Sequence, residues 1–230
     1  MSTCPHHHHL RPELPPLTPR IAKLPVDDRG YPVPFFVQWV DQWNQATKPG
    51  VGRPEFRMMD GDKWKRCVKE KLCWVCGEKL GAYMAFPIGP MCTINRVSSE
   101  PPSHKDCAEW SVKGCPFLSR PNMVRREDEL TEADKGNVAG VMIERNPGVI
   151  AIWVAKNYNT FRANKGYLLR LDEPVSVDWY TEGRPARVGE VLKSITDGLP
   201  TLLGVCRDEG EIRECHKMAQ VVLDRYLPKA

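Results

Sequence analysis

"LCWVCGEKLG", Leu72 to Gly81, is the stretch whose reading decides the fold. Two cysteines two residues apart, followed at once by glycine, form a metal knuckle. The tight turn presents both sulfurs to one ion, and the glycine lets the backbone fold back after the second. Cys73 and Cys76 therefore read as half of a tetrahedral zinc set. A redox dithiol shares this spacing, but it opens a helix after a buried strand. Here Glu78 to Gly81 and "AYMAF" read instead as a turn into a hairpin.

The second half is expected in "EPPSHKDCAEWSVKGC". Pro101 and Pro102 block backward extension of a helix, Ser103 suits an N-cap, and Asp106 three residues on completes a capping-box pattern. That places His104 and Cys107 on one face of the first turn, where the helix dipole favours thiolate. The expected ligands are Cys73, Cys76, His104 and Cys107. Cys92 is an alternative to His104 and Cys115 an alternative to Cys107, while Cys67 is expected to face the core of its own helix. Knuckle, hairpin, then a helix bearing ligands in its first turn is a treble-clef arrangement.

Four protein donors fill a tetrahedral sphere and leave no position for water or substrate, so the zinc is expected to be structural. Three enzyme readings fail on their residues. A treble-clef nuclease of the His-Asn-His kind needs a histidine between the ligand pairs, and Gly77 to Ser103 contains none. A zinc deaminase needs H-x-E and P-C-x-x-C, and neither occurs. A cysteine hydrolase needs a distant histidine, and His216, the only one past the cluster, falls among polar residues of an expected helix.

Nine cysteines in 230 residues, six of them between Cys67 and Cys115, point to metal rather than to a disulfide framework. Cys206 and Cys215 lie in helical apolar patterns and are expected in the core, with Cys4 isolated. No apolar run approaches the roughly 20 residues needed to cross a bilayer. The first twenty residues have no apolar signal region, so the cytoplasm is the expected compartment. The formal net charge of +4 belongs to residues 1–130, with 19 basic against 15 acidic side chains; residues 131–230 carry 14 of each. That excess is compatible with an acidic partner and too small to demand one.

The pattern predicts an α+β fold: a zinc module over residues 35–120, followed over 135–230 by a small, mostly antiparallel sheet and C-terminal helices. Residues 1–34 read as a proline-rich, partly disordered arm that includes His6–His9, and 117–135 as a connector. "PVPFFVQWVDQW" reads as a strand or the start of a helix, and "PEFRMMD" as a strand. "DGDKWKRCVKEKL" has Trp64, Cys67, Val68 and Leu72 at helical spacing, with Lys63, Lys65, Arg66, Lys69 and Lys71 mainly on the other faces. Those cations are a solvated helix surface or, as the sharper alternative, a nucleic-acid footprint through Lys65, Arg66 and Lys69. "NVAGVMIER" and "GVIAIWVAK", separated by the turn signal "NPG", together with "GYLLRL" and "VSVDWY", are four expected strands. Three helices are expected at the end: one stopped at Gly198, a short one with Pro200 in its first turn, and one over "EIRECHKMAQVVLDRYL".

Two further pieces are candidate contacts. "CTINRVSSEPPS" reads as a loop ending beside the metal, with Asn95 and Arg96 available to a phosphate or carboxylate. "WVAKNYNTFRANKGY" interleaves aromatic and basic residues. It suits either stacking on single-stranded nucleic acid or a hairpin whose rings face the core.

The combination "LCWVCGEKLG … FPIGPMCTINRVSSEPPSHKDCAEWSVKGCPFL", with "RIAKLPVDDRGYPVPFFVQW" before it and "WYTEGRPARVGEVLKSITDGLP" after it, resembles a family of hypothetical proteins from bacterial and bacteriophage genomes. The resemblance spans most of residues 20–205, with "WVDQWNQATKPGVGRPEFR" longer than the pattern. It implies a shared fold and metal site and no activity. The expected function is thus a cytoplasmic zinc-stabilised protein that binds nucleic acid or a protein partner. The alternatives are an enzyme acting on nucleotides or nucleic acid, with its site between the zinc module and the sheet, and a phage-type inhibitor that occludes a host protein.

Overall fold

The computed structural model describes residues 10–120, 146–163 and 166–229. The fold is mixed helix and antiparallel sheet. Among the described residues the strands form three small sheets, of three, four and three strands.

The first sheet pairs β1 (Val37–Val40) with β2 (Ala46–Thr47) and β3 (Arg53–Met59), and Val33, Val37 and Trp39 form its own small core. Helix α1 (Gly61–Glu70) follows. Asp60 caps it by accepting from the backbone N–H groups of Asp62 and Lys63, and Lys71 ends it in the left-handed region at φ 52°. One basic residue of this helix departs from the expected outer faces. Lys63 is buried and its ammonium donates to the Val37 carbonyl at 2.8 Å, so it joins α1 to β1.

The central sheet positions the metal cluster. Strand β4 (Met84–Ile88) lies beside β6 (Ile150–Ala155) in antiparallel register, Phe86 opposite Trp153. On the far side of β6 lie β9 (Ser176–Thr181) and then β10 (Arg184–Pro185). Every residue of β6 is buried, as expected for an apolar β-branched run in the middle of a covered sheet. β4 belongs by sequence to the cysteine-rich region and β6 to the C-terminal half, so the two halves share one sheet. A single apolar cluster runs from Ile21 through Cys73, Phe86 and Trp153 to Val222. The expected strand "NVAGVMIER" lies outside the described residues.

The hairpin expected after the knuckle is reduced to one bridge. Ala85 and Ser103 exchange backbone hydrogen bonds of 2.8 Å each, and the chain between them folds as α2 (Pro90–Asn95) and β5 (Val97–Ser98) instead of an open loop. Pro90 sits at the start of α2, where its missing N–H costs nothing, and the Thr93 hydroxyl donates to the Pro90 carbonyl at 2.6 Å. β5 joins β8 (Gly166–Leu171), which pairs in turn with β7 (Tyr158–Ala163).

Helices α5 (Val188–Leu203) and α6 (Glu209–Arg225) close the fold over α2. The expected stop at Gly198 does not occur: α5 runs through Gly198 and Pro200 as one helix. A side chain at Gly198 would come within 2.9 Å of the Met91 methyl carbon, so the glycine is needed for close approach to α2. Residues 10–34, read as an arm, lie along this body. Ile21 is 1% exposed in the main core, and Leu14, Leu17 and Leu24 pack against it.

Candidate metal centre

The knuckle is built by its backbone. Leu72 and Lys79 form a β-bridge, the Cys73 N–H donates to the Glu78 carbonyl at 2.8 Å, and the Gly77 N–H returns to the Cys73 carbonyl at 2.8 Å. Gly77 holds φ +75°, which side chains rarely adopt. The N–H groups of Cys76 and His104 both point at the Cys73 sulfur from 3.4 Å, so a thiolate there is met by two backbone donors.

The second pair comes from α3 (Lys105–Gly114). Its N-cap is His104 rather than Ser103, and no side chain caps it. The capping-box expectation fails for a local reason. Both backbone groups of Ser103 are taken by Ala85, and Asp106 turns outward to receive the Arg20 guanidinium at 2.8 Å. The one-residue shift still leaves His104 and Cys107 together at the start of the helix.

Ligand atoms of Cys73, Cys76, His104 and Cys107 all lie within 4.8 Å of one another. Nδ1 of His104 is 3.4 Å from the Cys76 sulfur and 4.0 Å from that of Cys107. A tetrahedral ion with bonds of roughly 2.3 Å to sulfur sets its ligand atoms about 3.8 Å apart, so the spacing fits one ion. Nε2 of His104 lies 3.0 Å from the Lys79 carbonyl, which can only accept; Nε2 therefore carries a proton, and Nδ1, which faces the sulfurs, is the atom that would give its lone pair to a metal. The imidazole is thus oriented by the knuckle it completes. These four residues could hold a metal ion, and three soft thiolates with one imidazole match zinc.

Protons are unevenly shared among these donors. Burial opposes charge on Cys73, but hydrogen bonds from Cys107, Cys76 and His104 overcome it and hold its thiol far below the ordinary range. The bond to that thiolate pushes Cys107 up, and the bond to Cys73 raises His104. A divalent cation binding here would release the remaining thiol protons.

Cys92, in α2, and Cys115, between α3 and α4 (Pro116–Ser119), stand outside the cluster. Cys67 is fully buried in α1, and that burial pushes its thiol up to about 12, the behaviour of an inert core residue. Cys206 and Cys215 are half-buried, with their sulfurs 3.7 Å apart. Cys4 and His6–His9 lie outside the described residues.

The candidate contacts fall in three places. On α1, Lys65 pairs with Asp62 at 2.9 Å and Arg66 with Glu70 at 3.2 Å, both exposed, and Lys69 is exposed on the same helix. Asn95 is spent on its own turn, accepting from the Val97 N–H at 2.9 Å. Arg96 ends α2 with φ 53° and lines a pocket with Lys156, Asn159, Arg170, Asp172 and Glu173. Spacing could not reveal this grouping, because its residues come from separate segments. In the aromatic and basic stretch, Trp153 is buried and Tyr158 packs edge-on against Phe86, whereas Tyr167 is exposed.

No protein-family model, curated protein or solved structure matches the chain. Among the described residues, no helix is long and apolar enough to cross a membrane.

Proposed function

We propose that the chain is a cytoplasmic zinc-stabilised protein that binds single-stranded nucleic acid. The observation that carries the zinc-stabilised part of this reading is the closed donor set. Two knuckle thiols, a helix thiol and an imidazole converge with their own hydrogen bonds already assigned, so a zinc ion would have all four positions filled by protein. Such an ion acts as a staple, and function belongs to the surfaces it fixes.

The hairpin β7–β8 supports nucleic acid as the partner. Arg170 lies over the Phe161 ring at 5.1 Å, and Arg162 sits across the ladder from the exposed Tyr167. Rings beside guanidinium groups suit stacked bases and their phosphates.

The test has two parts. Purified protein is expected to carry one tightly held zinc, whose removal by a chelator unfolds it; a fold that survives metal loss refutes the staple. The zinc-loaded protein is then titrated against a labelled single-stranded oligonucleotide at two salt concentrations. Binding that weakens steeply with salt is expected. No binding at low salt refutes the nucleic-acid reading.

A further inference from the structure

We infer that the pocket bounded by Arg96, Lys156, Asn159, Arg170, Asp172 and Glu173 is a binding site for a nucleoside phosphate. The inference deepens the reading above and rests on it. The pocket has a volume of about 400 Å³, within the range of small-ligand sites and far too small for a duplex.

Three segments meet there and are stitched by their backbones. The Leu171 N–H donates to the Arg96 carbonyl at 2.8 Å, and the Asp172 N–H to the Asn157 carbonyl at 3.3 Å. The backbone positions of the lining residues are therefore tied together, with the side chains of Lys156, Asn159, Arg170, Asp172 and Glu173 exposed on them. Each of the three cations also lies against an aromatic face: Arg96 over Trp153 at 5.9 Å, Lys156 over Tyr83 at 5.7 Å, and Arg170 over Phe161 at 5.1 Å. Rings orient a cation without neutralising it. Among the described residues neither Lys156 nor Arg170 has an ion-pair partner, and Arg96 reaches only Glu173, at 3.2 Å. The Arg96 Nε is buried without a hydrogen-bond partner. A buried donor left without a partner beside a cavity calls for an acceptor that a ligand could supply.

The mixture of charges narrows the ligand. A metal cation would be repelled by three positive groups, and a bare anion would meet the carboxylates of Asp172 and Glu173. A molecule with a phosphate at one end and hydroxyl or amino donors at the other uses both. Phosphate oxygens accept from Arg170, Lys156 and Arg96, while sugar hydroxyls or base amino groups donate to Asp172 and Glu173. That chemistry describes a nucleotide, whether free or as one unit of a single strand.

The experiment is calorimetric titration of the full zinc-loaded chain with adenosine monophosphate and, separately, with a ten-residue single-stranded oligonucleotide, for the wild type and the double variant K156Q/R170Q. The expected result is at least a tenfold loss of affinity in the variant for whichever probe binds, with an unchanged melting curve. Loss for the oligonucleotide alone, with the free nucleotide silent, assigns the pocket to a unit of a strand. Nucleotide binding without oligonucleotide binding keeps the pocket and overturns the nucleic-acid reading. Oligonucleotide affinity unchanged by the substitutions overturns the pocket and leaves that reading standing, and binding of neither probe overturns both. Should the double variant melt early, Lys156→Glu, at an exposed side chain, carries the same comparison.

Discussion

Substituting Gly77 by alanine tests how the knuckle is held closed. Two costs fall on the folded state. At φ +75° an L-residue pays about 1–2 kcal/mol for the left-handed conformation. The added Cβ would also stand 2.8 Å from Cδ2 of Phe35. That ring has little room to retreat, because the Phe35 N–H is bonded to the Val75 carbonyl at 2.7 Å, and Lys63 and Arg66 lie over its face. Forcing an extra carbon into such a contact costs about 1–3 kcal/mol. A total of about 2–5 kcal/mol falls on the closed knuckle and is relieved when it opens, so zinc affinity should drop about 30-fold or more. Competition with a chromophoric chelator measures it. Phe35→Ala in the same background separates the two costs, because it removes the steric part and leaves the dihedral part. A double-mutant cycle should return a coupling of about 1–3 kcal/mol between the two positions. Unchanged zinc affinity and melting in G77A would refute the reasoning, and zero coupling would refute its steric half.

Other perturbations probe the surroundings of the site. Glu55 is buried in β3, where hydrogen bonds from Arg57 and then Arg53 hold its carboxyl down to about 2. The stability it contributes is fully present above the ordinary value of 4.5 and is lost as pH falls toward 2. At most about 3 kcal/mol is involved. E55Q should therefore lower stability at neutral pH and flatten the acid limb of a denaturation series; an acid limb parallel to that of the wild type would contradict this. Ile21→Ala, in the segment that lies along the core, should cost about 2–5 kcal/mol in urea unfolding. A loss below about 0.5 kcal/mol, as for a surface substitution, would show that residues 10–34 do not hold to the body.

Legibility followed the range over which each feature is determined. The clustering of Cys73, Cys76, His104 and Cys107 is legible because a knuckle and a helix start are local devices with fixed spacings. The N-cap falls one residue past Ser103 because Ser103 is claimed by β4, a contact that sequence does not display. The expected hairpin does not form for a related reason: β4 takes its main partner from β6, well downstream. Gly198 carries a stop signal and Pro200 a start signal by propensity, yet with Gly198 packed against Met91 one helix runs through both. Lys63 reads as a surface cation in sequence because the carbonyl that receives it belongs to β1, outside its own helix. The pocket gathers side chains from the end of α2, the β6–β7 turn and the end of β8, so no linear pattern announces it.

The pairing of β4 with β6 also sets a timetable for biosynthesis. The ribosome delivers Cys73 through Cys107 well before Ile150, and β4 waits for its partner about 3–12 s at ordinary elongation rates. During that interval β4 is an unpaired apolar strand, open to other nascent chains. The donors flanking it are already complete, so a captured ion would tether both ends of the waiting segment. Cells short of the metal would then lose this protein first to aggregation during translation, ahead of any effect on the finished fold.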